Sequence, residues 1–146
     1  MKITTRGRYG LRALIDIAAH GGECVTLKSI ARRQGISEHY LEQLAVPLRK
    51  AGFVQSVRGA QGGYALRGDP ADISIGDVLR ALEGPLQLVD CLAVEGEGSC
   101  GSADCSTCCT KTVWQRMYNQ LNDTMDSIKL QELVQDYQEQ NSILGE

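Results

Sequence analysis

Aromatic residues are scarce in this 146-residue chain: Trp114, Phe53 and five tyrosines. A large aromatic-lined ligand pocket is therefore not expected. Histidine is limited to His20 and His39, and no Ser-His-Asp set or paired-carboxylate arrangement offers nucleophilic or acid–base catalysis. No apolar run approaches the roughly 18–20 residues of a membrane span. The first residues lack the hydrophobic stretch of a secretory signal. Internal repeats and low-complexity tracts are absent as well. These absences point away from an enzyme or a membrane protein and towards the cytoplasm. In that reducing setting six cysteines read as metal or redox chemistry rather than structural bridges. The 42% of residues that are apolar suffice for one ordinary core with an attached arm, without disulfide staples.

The net charge of −3 conceals an asymmetry. Residues 1–68 carry eleven Lys/Arg against four acids, net +7, whereas residues 69–146 carry four bases against fourteen acids, net −10. A basic half suits a polyanionic partner that an acidic half would repel. Chance clustering of solvated charges is the plainer alternative, and only placement within a motif distinguishes the two.

The apolar periodicity places a helix from Gly7 to His20, stopped by Gly21 and Gly22. Thr26 caps a second helix that Gly35 ends. Ser37 caps a third, with Tyr40, Leu41, Leu44 and Leu48 on one side, Pro47 inside it and Gly52 at its end. Two short capped helices joined by Gln34-Gly35-Ile36 are the sequence form of a helix-turn-helix. Residues 53–66 then read as two short strands around Gly59, Gly62 and Gly63, a β-hairpin. A phosphate-binding loop is disfavoured there, because no Gly-Lys-Ser/Thr follows and no helix begins. Ser74 starts a fourth helix closed by Gly84 and Pro85, and residues from about 90 to 109 are an aperiodic loop. Val113, Met117, Leu121, Met125 and Ile128 mark a long amphipathic helix whose stripe is covered either by a second copy or by its own domain. Beyond Lys129 a weaker acidic helix with a frayed end is expected.

The predicted architecture is therefore mainly α: a winged helix-turn-helix with a β-hairpin wing, a cysteine-rich loop and a long dimerisation helix. Its expected divisions are 1–85 for DNA binding, 86–110 for the loop, 111–129 for the dimer helix and 130–146 for an acidic tail. The second helix of such a motif enters the major groove. Here it offers Ser37, Glu38, His39, Tyr40, Glu42 and Gln43. Gln pairs bidentately with adenine, Glu accepts from the cytosine amino group and Ser serves either role. An acid near phosphates makes sense at Glu42 if it reads a cytosine. Lys28, Arg32, Arg33, Arg49 and Lys50 would neutralise phosphates, Arg58 stands at the wing tip, where a slim turn enters a narrow minor groove, and Gln61 is a further DNA-binding candidate. His39 and Tyr40 have packing against the core as their alternative role.

Five of the six cysteines fall within nineteen residues: Cys91, Cys100, Cys105, Cys108 and Cys109. Cys24, alone in an apolar stretch, reads as a buried small hydrophobe. Thiolates at this density suit an iron–sulfur cluster or zinc. Zinc is the second choice, since only Cys105 and Cys108 have the close CxxC spacing of which structural zinc sites usually show two. Free or oxidation-prone thiols without a metal are the remaining alternative.

Four segments, MKITTRGRYG (1–10), ISEHYLEQL (36–44), VRGAQGGY (57–64) and IGDVLRALEG (75–84), resemble the IscR/NsrR/CymR family of bacterial winged-helix regulators. The resemblance covers nearly the whole chain. It implies a homodimeric transcription factor, mostly a repressor type, that binds a double-stranded DNA operator and pairs through the helix after the loop. It places recognition-helix and wing contacts on Ser37, His39, Tyr40, Glu42, Gln43 and Arg58. Cluster-binding branches carry three loop cysteines, the last of them shortly before a Val/Leu-Trp pair, which here is Val113-Trp114. That pattern implies Cys91, Cys100 and Cys108 as ligands of a cluster, 2Fe–2S ahead of 4Fe–4S. The histidine-ligand position of one branch is Lys111 here, and the N-terminal acid of another falls at about Arg8. The fourth ligand is therefore open, with Cys105 the first candidate and Cys109 the second. The DNA-reading half is similar to the branch that governs cysteine metabolism and lacks such a loop. A second reading follows from it: a thiol-, zinc- or protein-partner-controlled repressor of sulfur metabolism.

Overall fold

The computed structural model describes residues 2–92 and 108–145. Helix α1 (Thr5–Ala19) is the central element and packs against the helices of residues 27–34, 38–50, 75–83 and 130–144. Thr4 caps it, its side chain accepting from the Arg6 amide at 3.2 Å. A second cap comes from far along the chain: the Glu83 carboxylate accepts from the Thr4 amide (2.8 Å), the Thr4 hydroxyl (2.8 Å) and the Gly7 amide (3.0 Å). Those amides are the unsatisfied donors of a helix start, where a carboxylate is also favoured by the helix dipole. A Cβ at Gly7 would meet the Glu83 carboxylate, so a larger residue there would displace this second cap.

Helices α2 (Leu27–Gln34) and α3 (Glu38–Lys50) form the expected helix-turn-helix. Thr26 accepts from the Ser29 amide at 3.1 Å, and Ser37 from the Tyr40 amide at 3.2 Å. Gly35 ends α2 with φ of 66°, the left-handed conformation that glycine adopts without steric cost. Strands β1 (Val54–Val57) and β2 (Gly63–Leu66) pair antiparallel, Val54 opposite Leu66 and Val57 opposite Gly63. Val25 adds a bridge to the outer edge of β2, exchanging two 2.8 Å hydrogen bonds with Tyr64. At Gly63 a Cβ would run into the Val25 carbonyl, so the bridge depends on that glycine.

Helix α4 (Ile75–Glu83) starts on Ser74, whose hydroxyl accepts from the Asp77 amide at 3.1 Å. After a 3₁₀ turn at Asp90–Leu92 come α5 (Lys111–Ser127) and α6 (Leu130–Leu144). The expectation of a frayed acidic end is corrected here. Leu130 and Val134 are buried in the same core as Leu14, Ile30, Leu41 and Val78, and α6 lies along α1. Residues Leu130, Leu133, Val134 and Tyr137 recur at helical spacing, a stripe masked by the surrounding acids and glutamines. Backbone bonds fix the start of α6 to the strand-like residues before α4: Ile75 donates to Ile128 and Leu130 to Ile73, each at 2.9 Å.

The stripe of α5 divides. Met125 is buried, and Leu121 and Ile128 pack against the core, so its C-terminal half is covered by its own domain. Val113 and Met117 near its start are 52% and 51% exposed. Arg80 of α4 fastens the covered half, donating to Asn122 at 2.9 Å and Asp126 at 2.7 Å. Among the described residues no helix is long and apolar enough to cross a membrane.

Candidate nucleic-acid interface and cysteine segment

One side of α3 is sealed into the core by Leu41, Leu44, Ala45 and Leu48. Its opposite side necessarily carries Glu38, His39, Glu42, Gln43 and Val46, all exposed, with Ser37 exposed at the cap. The His39 side chain is 82% exposed, within 3.3 Å of the Gln43 amide group and 4.0 Å of the Glu42 carboxylate. These three side chains form one polar cluster on the first two turns. Tyr40 is set apart from them. It is half-buried, its ring edge-on to Tyr9 at 6.1 Å and 80°, so packing occupies the ring.

Lys28 and Arg32 are exposed on α2, and Arg49 and Lys50 on the last turn of α3. Arg58 and Gln61 are exposed in the turn between β1 and β2, which is closed by a 3.0 Å bond from the Gly62 amide to the Gly59 carbonyl. Arg33 does not join this set as expected. It donates to the carboxylate of Asp16 through Nε (3.0 Å) and Nη2 (2.6 Å). Asp16 is fully buried and also accepts from the Gln34 side chain (2.9 Å) and from the Tyr137 hydroxyl (3.3 Å). Burial alone would raise the pKa of Asp16. The hydrogen bonds from Arg33 and Gln34 and the Arg33 charge outweigh it, and the carboxyl is held below its ordinary value. Arg33 is thus spent on internal structure. Asp16 carried no signal beyond being an acid on the apolar side of a helical pattern.

Two arginines of α1 carry no DNA-contact role in the sequence pattern. Arg8 and Arg12 sit one helical turn apart, 6.0 and 5.4 Å from the Tyr9 ring centre. Arg12 also donates to the Gln34 carbonyl at 2.6 Å, at the end of α2.

Of the cysteines, Cys91 lies half-buried in the 3₁₀ turn, which packs on α5, while Cys108 and Cys109 immediately precede α5. The Cys108 sulfur is 3.2 Å from the Thr110 hydroxyl oxygen. Cys100 and Cys105 lie outside the described residues. Among the described residues no three His, Cys, Asp or Glu side chains gather closely enough to hold a metal. Cys24 departs from the expected buried hydrophobe: it is half-buried in a shallow groove with His20, Ser29, Ala60 and Gln61.

Residues 3–136 match the Rrf2 family, described as iron-dependent transcriptional regulators. The chain is 44% identical over 135 residues to the transcriptional regulator CymR of Bacillus subtilis, covering 92% of this chain and 90% of that one. It is 43% identical over 137 residues to the transcriptional regulator IscR of Vibrio vulnificus, covering 93% of this chain and 79% of that one. The solved structure of B. subtilis CymR, described as the global cysteine regulator, superimposes with a TM-score of 0.73 at 40% identity over 92% of this chain and 97% of that one.

Proposed function

The chain belongs to the Rrf2 family of transcriptional regulators, and we propose that it is a homodimeric, cytoplasmic repressor whose operator affinity is set by an iron–sulfur cluster in the segment Cys91–Cys109. DNA binding itself follows from the family. The observation that carries the reading of the DNA face is the outer side of α3, where Ser37, His39, Glu42 and Gln43 are exposed together and bases flank them. Gln43 and Glu42 are the base-reading pair, for adenine and cytosine respectively. Lys28, Arg32 and Arg49 set the protein on the backbone, and Arg58, with Gln61 beside it in the wing, addresses the minor groove. Two such helices in a dimer address half-sites about one DNA turn, roughly 34–36 Å, apart. The exposed Val113 and Met117 at the start of α5 supply the apolar seam for that pairing.

The donor set fits a cluster. Cys91 and Cys108 bracket the segment, both half-buried, and the turn that holds Cys91 is docked on the helix that Cys108 precedes. Cys100 completes the three ligands and Cys105 supplies the fourth, with Cys109 as its substitute; 2Fe–2S is the preferred form and zinc the less favoured metal. A bound cluster would supply a redox- and ligand-sensitive group. The chain's part is to tie the start of α5 to the 3₁₀ turn. The test is the visible spectrum and the iron and sulfide content of protein purified without oxygen, wild type beside Cys108→Ala. Cysteine-dependent absorbance near 400 nm and an operator affinity that changes with iron content are expected. Equal iron and equal DNA binding in the two proteins overturn the cluster reading.

The identity to CymR favours one second reading, a thiol- or partner-controlled repressor of sulfur metabolism without a cluster. A colourless wild type that resists reconstitution, yet binds DNA according to its thiol state or a protein partner, selects it.

A further inference from the structure

We infer that Arg8 and Arg12 of α1 form a phosphate clamp beside the recognition helix, a DNA-backbone contact outside the helix-turn-helix and wing. The inference rests on the DNA-binding reading above and adds a third element to the interface. Both side chains are exposed, and the same ring, Tyr9, lies beneath both guanidinium groups at 6.0 and 5.4 Å. Tyr9 meets Tyr40 edge-on at 6.1 Å, and Tyr40 is in the first turn of α3, next to His39 and Ser37. The two charges are therefore carried to the end of α3 that is directed at base edges. Arg12 is held further by its 2.6 Å bond to the Gln34 carbonyl, at the turn between α2 and α3.

Charge accounting separates this pair from the chain's structural arginines. Arg33 is neutralised by Asp16, and Arg80 by Asp77 and Asp126. Among the described residues neither Arg8 nor Arg12 pairs with a carboxylate, so both retain their charge and free N–H donors for an external anion. A cation–π contact with an aromatic ring limits the rotamers of a guanidinium in advance; Arg8 keeps its edge open for bidentate contact with a phosphodiester, and Arg12, whose Nε and Nη2 donate to Gln34, keeps its Nη1 side for the same anion. No feature of the pair reads base edges, so the contact is sequence-independent.

The experiment measures binding to a 30-base-pair random-sequence duplex by fluorescence anisotropy between 50 and 200 mM salt, for wild type, Arg8→Ala, Arg8→Lys and Arg12→Lys. Each lost phosphate contact lowers the slope of log K against log salt by about 0.9, equivalent to about eightfold weaker binding at 0.1 M salt. Arg8→Ala is expected to show that decrease per protomer, and the two lysine variants to keep most of the slope. Among the described residues the Arg8 side chain makes no hydrogen bond, and its backbone bond to the Thr4 carbonyl survives substitution, so its replacement reports on DNA contact; a thermal melt equal to wild type checks this. A steep wild-type slope that Arg8→Ala leaves unchanged overturns the clamp and leaves the winged-helix interface standing. A flat wild-type slope overturns the DNA-binding reading, and the clamp with it.

Discussion

Replacing Asp16 by asparagine tests the internal logic of the fold most directly. The substitution preserves shape and removes one charge from a site with no solvent exposure. What remains is Arg33, whose guanidinium loses two charge-assisted bonds of 2.6 and 3.0 Å. Removing one partner of a buried ion pair costs about 3–5 kcal/mol, chiefly because the other charge is left uncompensated. Arg33 is 36% exposed and can rehydrate, which places the loss near the lower end, about 3 kcal/mol. For a chain of this size that lowers the melting temperature by roughly 6–12 °C. Denaturant and thermal unfolding at one fixed protein concentration measure it, since subunit association also shifts apparent stability. A loss under about 1 kcal/mol, the scale of a surface pair, would refute the reasoning.

The same pair of proteins gives a pH test whose sign is fixed. The Asp16 carboxyl is held lower in the folded chain than in the unfolded one, so the unfolded state takes up its proton first as pH falls. Its stabilisation is fully present above the unfolded value of about 3.9 and is lost as pH drops through the folded one. The stability gap between wild type and Asp16→Asn should therefore stay constant from neutrality to about pH 5 and narrow below about pH 4. A gap that widens in acid contradicts the assigned direction.

Three further substitutions address other parts of the molecule. Glu83→Ala removes the acceptor for two amides and a hydroxyl at the start of α1 and should cost about 1–2 kcal/mol in denaturant unfolding, as loss of a helix cap does; a neutral result would assign those donors to water. Gly63→Ala forces a methyl group against the Val25 carbonyl and should break the Val25–Tyr64 bridge, seen as faster amide hydrogen exchange at Val25 and Tyr64 with the helical core still protected. Gln43→Ala should weaken operator binding by about 1–3 kcal/mol and relax preference at one base pair while leaving the salt slope unchanged. A lower slope instead would move Gln43 from base reading to backbone contact.

The local signals in the sequence were decisive where a single residue carries the conformation. Thr26, Ser37 and Ser74 cap the helices they were expected to cap, and Gly35 turns the chain at the helix-turn-helix. The hairpin appears where two short strand-like runs flank Gly59, Gly62 and Gly63. The outer face of α3 was legible too, because four apolar positions on one side determine what the other side presents. Pairings across long separations were not legible. Glu83 capping a helix 76 residues earlier, or Tyr137 reaching Asp16 across 121 residues, leaves no trace in local periodicity. Arg33 shows the consequence for site prediction: its position among basic residues suggested phosphate contact, and only the buried carboxylate beneath it explains why its charge is committed inward.

The division of charge at Gly68 is likewise not a division of folding. Net +7 and net −10 segments share one core, in which Leu130 and Val134 pack with Leu14, Ile30 and Leu48 from the basic half. Three kinds of contact hold the halves together: that apolar packing, the Glu83 carboxylate capping the start of α1, and the buried Asp16 network. Asp16 sits at the junction, since its partners Arg33 and Gln34 end α2 and its partner Tyr137 belongs to α6. Gln34 in turn receives Arg12, one of the two α1 arginines beside the Tyr9 ring. A displacement of α6 relative to α1 would strain the hydrogen bonds that orient the turn before α3. The acidic half is therefore more than a counterweight to the basic one: through Tyr137 it takes part in holding α3 in place.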